Sequence, residues 1–343
     1  MYIQLRHGKM GGNMRGQHRL AIGIVFVWML CLMTGCGREA TEMKVTREIF
    51  AMDTIMELTV YGEQGEEAMT EAVQLINRLD RLFSVTDKES DISKINAAGG
   101  KPVKVAEETY ELIEQSKEYS AETDGAFDIS IYPLVKAWGF TKERQHVPTE
   151  KERTEAMNKI DYRKIQCLPD CQIQMEPEME IDLGAVAKGY VSQRIMDLWK
   201  QRGVTSAIVS LGGNVQTIGK KEDGSNYQVG ITDPADGSSL FGTMAVEDRA
   251  VVTSGIYQRN FTERGVFYHH IMNASTGMPA ENDLASVTVI TEDGTKADAL
   301  ATALFVMGEE EIEKYQKSHP DIQVLYIRKD GTFWQSEEVN LSH

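Results

Sequence analysis

Between residues 206 and 261 the chain reads as strand after strand with little between them. The segments are S-A-I-V-S-L-G-G-N from Ser206, Y-Q-V-G-I-T-D-P from Tyr227, F-G-T-M-A-V near Phe241 and A-V-V-T-S-G-I-Y-Q-R-N-F from Ala250. Strands joined by turns this short pair antiparallel, and few folds accommodate so many in succession. More strand signals stand at residues 48–61, 285–291, and 322–327 with 331–334 across a Lys329-Asp330-Gly331 turn. Apolar residues at helical spacing mark residues 66–83, 106–122, 185–199, 296–307 and 312–319 as helices. The expected fold is α+β, a mostly antiparallel sheet with flanking helices. Residues 84–100 read as a polar loop and 141–179 as charged, irregular surface.

The N-terminus has a different character. Residues 1–35 hold Arg6, Lys9, Arg15 and Arg19 and no acid, and a 14-residue apolar run extends from Leu20 to Met33. A basic head with a run this short reads as an export signal, because a membrane span needs about 20 residues. The M-T-G-C that ends it resembles a bacterial lipoprotein cleavage site with Cys36 as the lipidated residue. The expectation is a leader over 1–35, a linker over 36–46 and a body over 47–343, working outside the cytoplasm on a lipid anchor. Losing the leader's four basic residues leaves 32 Lys+Arg against 52 Asp+Glu, a net charge of −20. Such a surface argues against nucleic acid and against a polybasic membrane-binding face. Cys167 and Cys171, in C-L-P-D-C, are the cysteines of the body. An oxidising compartment permits a disulfide there, and two free thiols fit equally well.

Chemistry concentrates in three places. In E-I-D-L-G-A-V-A-K-G-Y (residues 180–190), the end of a strand over 179–183 is expected to turn at Gly184 into a helix. A helix start binds anions, and the small residues Gly184, Ala185 and Ala187 let a ligand or metal approach main-chain carbonyls. Asp182 and Lys188 add one charge of each sign, although a packed joint with a surface Lys looks the same. In T-D-G-A-F-D-I-S-I-Y-P-L-V-K-A-W-G-F (residues 123–140), aromatic residues follow a Gly-Ala turn, either to stack on a planar ring or to build a core corner. In the helix over 296–307, Asp298 and Thr302 stand four apart on one face among Ala and Leu. Zinc spacing, a G-x-S-x-G elbow, a Walker loop and G-x-G-x-x-G are all missing from the sequence. A few hard oxygen donors suit Mg²⁺, which keeps waters and completes its shell with phosphate. With a helix start, glycine turns and an aromatic cluster they fit a nucleotide diphosphate carrying a ring system.

These segments, with L-G-G-N, T-S-G-I-Y-Q-R-N-F, H-I-M-N-A-S-T-G-M-P and A-D-A-L-A-T, occur from about Ile49 to the C-terminus in one order. Together they resemble the bacterial FAD:protein FMN transferases, the ApbE-like flavin transferases. The resemblance implies a T-fold-related α+β domain that binds FAD and Mg²⁺. It also implies transfer of FMN from FAD to a Thr or Ser hydroxyl of an exported flavoprotein, with release of AMP. Carried over residue by residue, it implies that the Ala185 carbonyl, Asp298 and Thr302 ligate Mg²⁺, with Asp298 essential to catalysis. It implies FAD contacts at Met52, Thr86, Ala126, Phe127, Asp128, Asp182, Lys188 and His270, and His270 as the group that assists removal of the acceptor proton. The chain departs from the family in having Asp53 where Gly is usual and Thr86 where an aromatic is common. Alternatives are a Mg²⁺-dependent FAD pyrophosphatase, with water replacing the acceptor hydroxyl, and a non-enzymatic flavin-binding lipoprotein.

Overall fold

The computed structural model describes residues 43–141 and 145–342; the leader and Cys36 lie outside this range. Among the described residues, eight strands form one sheet: β1 (Lys44–Ala51), β2 (Thr54–Tyr61), β3 (Ala207–Leu211), β4 (Asn214–Ile218), β5 (Ala250–Gly255), β6 (Leu284–Thr291), β7 (Gln323–Arg328) and β8 (Phe333–Gln335). Their order in the sheet is their order in the chain, and every pairing is antiparallel. The α+β expectation is met. The helices are α1 (Gly65–Phe83), α2 (Asp91–Ala97), α3 (Glu107–Glu122), α4 (Tyr132–Ala137), α5 (Glu150–Met157), α6 (Ala187–Gln201), α7 (Gly294–Met307) and α8 (Glu309–Ser318).

Both faces of the sheet are covered at its centre. On one side, Met56, Leu58 and Val209 pack with Ile76, Leu79, Tyr190 and Ile195 of α1 and α6, while Val287 and Val289 pack with Leu300 and Leu304 of α7. On the other, Val251, Ile290, Leu325 and Ile327 meet a three-stranded sheet of Tyr227–Thr232, Leu240–Val246 and Leu341–Ser342. Strand β6 is therefore buried at every position, and its sequence, LASVTVIT, has no charged residue.

Several local readings need correction. Strand β1 begins at Lys44, inside the stretch read as linker. The S-D-I-S-K-I-N segment is helix α2, capped by Ser90, whose hydroxyl accepts from the Ser93 amide at 2.9 Å. The stretch read as irregular carries α5, opened by a Thr149/Glu152 capping box, and the hairpin Gln166–Leu168 with Gln172–Gln174. Cys167 and Cys171 sit on that hairpin as free, half-buried thiols. Residues 179–183 belong to no strand or sheet. The Asn96 side chain takes the place of a neighbouring strand, donating to the Ile181 carbonyl at 2.9 Å and accepting its amide at 2.8 Å.

The β1–β2 hairpin turns on Met52 and Asp53, both left-handed at φ 49° and 57°. A two-residue hairpin favours this geometry, and Asp tolerates it better than most residues. The turn is braced from α1, where Asp80 Oδ1 accepts the Met52 amide at 3.1 Å.

Candidate active site

A cleft of about 1000 Å³, counted to its open mouth, collects most of the residues singled out above. Its walls come from the turn after α3 (Ala126, Phe127, Asp128), the approach to α6 (Asp182, Ala185, Lys188), the β3–β4 turn, the end of β5, His270 and α7 (Asp298, Thr302). Met52 and Thr86 are not among the lining residues. Met52 is half-buried in the hairpin turn, and Thr86 is exposed with its hydroxyl 3.1 Å from that of Ser84. The hairpin still touches the site through Thr54, since a Cβ on Gly212 would lie 2.5 Å from the Thr54 hydroxyl.

Asp298 is at the floor, 4% exposed. Its Oδ2 accepts the Gly189 amide at 2.8 Å. Burial pushes its carboxyl pKa up, while Lys188, the Gly189 amide and the Asn214 side chain pull it down. The Gly189 amide is one of the first-turn amides that α6, with Val186 as its N-cap, leaves without a carbonyl partner. Asp298 satisfies it, and the Ala185 carbonyl, one residue before the N-cap, accepts no hydrogen bond among the described residues. A buried carboxylate and a free carbonyl thus both line the cleft. Thr302, one turn beyond Asp298, places its hydroxyl 3.1 Å from that of Ser254 on β5. Among the described residues no three His, Cys, Asp or Glu side chains cluster, so a cation here would rely on carbonyl and hydroxyl oxygens beside one carboxylate.

The other charged residues have structural partners as well. Asp182 is raised by burial, offset by the Gly184 amide, Arg259 and Lys188. Its Oδ1 accepts from Gly184 at 2.8 Å, and its own amide donates to the Ile129 carbonyl at 2.9 Å. Asp128 is occupied on both oxygens. The Ser130 amide and hydroxyl each donate to Oδ1 at 2.7 Å and the Tyr162 amide donates to Oδ2 at 3.2 Å, so its carboxylate holds the cleft wall together. Phe127 is 2% exposed and Trp138 fully buried. The Trp138 indole donates to the Gly277 carbonyl at 3.0 Å and packs 5.3 Å from Tyr268. The segment builds a core corner, and its Phe127, Ile131 and Val135 also line the cleft.

His270 is half-buried beside this corner, its Nδ1 hydrogen donated to the Arg259 carbonyl at 3.1 Å. A carbonyl can only accept, so that contact fixes the tautomer and leaves Nε2 without a proton. Burial, with Arg259, His269 and Lys188 nearby, pushes its pKa down to about 4. The imidazole is therefore neutral at pH 7 and able to take a proton.

His269 behind it is 4% exposed and is also pushed down to about 4, chiefly by burial and slightly by Lys329. Nε2 donates to the Ala280 carbonyl at 3.2 Å, while Nδ1 has no partner among the described residues. The folded pKa is below the unfolded value near 6.5, so the unfolded chain binds the extra proton. Stability from this site falls as pH drops from about 6.5 to about 4, by up to ~3 kcal/mol. The stability gap between the wild type and His269→Leu, from urea denaturation, is expected to shrink by about that amount between pH 7 and pH 4. A gap independent of pH would contradict the assignment.

Sequence reasoning did not single out Ser254, Gln258 or the side chain of Asn214, all of which line the cleft. The signal was present in L-G-G-N and T-S-G-I-Y-Q-R-N-F, where glycines at φ 58° and 98° (Gly212 and Gly213) turn β3 into β4 beneath the ligand space.

Comparison with known proteins identifies the family. The profile of the ApbE family matches residues 52–326. A FAD:protein FMN transferase from Treponema pallidum (strain Nichols) is 32% identical over 327 residues, covering 89% of this chain and 90% of its own. Another from Klebsiella pneumoniae (strain 342) is 36% identical over 270 residues, covering 77% and 84%. Among solved structures, the ApbE protein of Thermotoga maritima superimposes with a TM-score of 0.81 at 33% identity, covering 86% of this chain and 97% of its own. With the profile spanning most of the chain, relatives above 30% identity over nearly its whole length and the same fold, this protein belongs to the ApbE family.

Proposed function

We propose that this protein transfers the FMN moiety of FAD to a Thr or Ser hydroxyl of an exported acceptor flavoprotein, releasing AMP, and that it does so with Mg²⁺. The observation that carries the reading is the oxygen set in the cleft: a buried carboxylate at Asp298, the unpaired Ala185 carbonyl and the Thr302 hydroxyl. A carboxylate raised by burial and a carbonyl left without a donor are what a hard cation would satisfy, so the residues fit the metal. When bound there, Mg²⁺ would neutralise charge developing on the diphosphate. The name carried by the relatives, FAD:protein FMN transferase, supports FAD as the substrate.

The chain's own residues account for the rest of the chemistry. Lys188 supplies positive charge at the start of α6, where the helix dipole also favours phosphate. The acceptor oxygen attacks the phosphorus on the flavin side, forming a new P–O bond. The bond to the bridging oxygen breaks, and AMP leaves with that electron pair. Neutral His270, with Nε2 open, receives the hydroxyl proton. Asp182, Asp128 and Ala126 shape the wall that orients the nucleotide. The same reading has the body working outside the cytoplasm, tethered through lipid on Cys36. Its support is the basic head, the apolar run and the M-T-G-C that ends it.

The test is to incubate the purified protein with FAD, Mg²⁺ and an exported flavoprotein domain offering a Thr, and to weigh the acceptor. A gain of one FMN that chelation abolishes is expected. Free FMN and AMP beside an unmodified acceptor would favour the pyrophosphatase, and intact FAD would reduce the protein to a flavin binder.

A further inference from the structure

Asn214 and Gln216 alternate along β4, so both side chains leave the same face of the sheet. Each is 3% exposed, and Val215 between them packs on the opposite face. Asn214 lines the cleft with Asp298, its Nδ2 without a partner among the described residues, and Gln216 ties α6 to the chain entering α7. Its Oε1 accepts the Ser192 hydroxyl of α6 at 2.8 Å. Its amide donates to Gln193 Oε1 at 2.9 Å and to the Glu292 carbonyl at 3.2 Å. Gln193 Oε1 also accepts the Gly294 amide at 3.0 Å, one of the α7 amides that the helix itself leaves unpaired. The knot has no slack, because a Cβ on Gly294 would lie 2.5 Å from Gln216 Oε1 and 2.6 Å from Ser192 Oγ. One turn along the same helices, Gly189 donates to Asp298.

We infer that Gln216 is a positioning residue: from the sheet it clamps α6 to α7 at the separation that lets the Ala185 carbonyl, Asp298 and Thr302 receive a divalent cation without rearrangement. The inference rests on the metal reading above. A satisfied buried polar network restricts geometry more narrowly than apolar packing of the same volume, since each member has directional partners. Gln216→Met keeps the bulk but leaves Gln193, Ser192 and the Glu292 carbonyl short of their partner.

Mn²⁺ binding followed by electron paramagnetic resonance, with FAD binding measured separately without metal, tests this. Gln216→Met is expected to weaken Mn²⁺ at least about tenfold while metal-free FAD affinity stays within about twofold. Ser192→Ala, which removes one hydroxyl and little volume, is expected to weaken Mn²⁺ about threefold and guards against a misfolded first variant. Unchanged Mn²⁺ affinity in both variants would overturn the inference. So would a parallel loss of Mn²⁺ and FAD binding, which marks a purely structural role. Wild-type protein that binds no Mn²⁺ would overturn the metal reading and this inference with it.

Discussion

Replacing Asp298 with Asn is expected to lower FMN transfer by at least about a thousandfold while making the apo-protein slightly more stable. The two effects have one origin. A carboxylate that is 4% exposed is costly to keep ionised, and here its compensation is partial: one amide bond, the nearby Lys188 charge and the Asn214 side chain. Asparagine keeps the shape and can still accept from Gly189 through its carbonyl, so the α6–α7 contact survives while the burial cost of the charge disappears. A gain on the order of 1 kcal/mol is expected from that relief. The lost charge is the one that would hold the cation against the diphosphate, and its removal is worth about 4 kcal/mol of transition-state stabilisation, or a thousandfold in rate. Rates of acceptor labelling by mass spectrometry, paired with thermal denaturation of the apo-protein, check both halves. Turnover within tenfold of wild type would remove Asp298 from the chemistry, whatever happened to stability.

What could be read in advance divides by the range of the forces involved. The Asp298/Thr302 pair was legible because helix periodicity puts residues four apart on one face, and a carboxylate amid Ala and Leu stands out there. The meander was legible because short turns leave antiparallel pairing as the simple option. Strand β4 was missed, since N-V-Q-T-I breaks the apolar pattern with Asn214, Gln216 and Thr217, all buried, the last two partnered across the fold rather than along the chain. The approach to α6 was mistaken for a strand because an apolar run looks the same in sequence whether its backbone partner is a neighbouring strand or, as here at Ile181, the side-chain amide of Asn96. Asp298 is brought to the start of α6 by a bond between residues 109 apart in sequence, Gly189 and Asp298, so the local motif could mark the Ala185 carbonyl only as accessible. Family resemblance supplied Ala185 and His270. It also supplied Met52 and Thr86, which in this chain stand away from the cleft wall.

Gly189→Ala is expected to cost about 3 kcal/mol of stability and about a hundredfold in activity, against the direction that helix propensity alone would give. Alanine is favoured over glycine within a helix by about 1 kcal/mol, so a simple surface position would gain from the change. At position 189 the added Cβ would lie 2.2 Å from the Gly294 carbonyl oxygen and 2.5 Å from the Asp298 Cβ. Both neighbours are held by α7, and α7 is packed against β5 and β6, so α6 must move as a unit. Overpacking of this kind typically costs about 1–3 kcal/mol, and here it also stretches the Gly189–Asp298 hydrogen bond, adding roughly 1 kcal/mol more. A shift of about 1 Å between the helices also misplaces the Ala185 carbonyl relative to Asp298 and Thr302, and misplacement on that scale is commonly worth about a hundredfold in rate. Urea denaturation and acceptor labelling on the same preparation separate the terms. A variant as stable as wild type would show that α6 and α7 do not approach as closely as described. A destabilised variant with full turnover would show that the spacing of these helices serves the fold and not the chemistry.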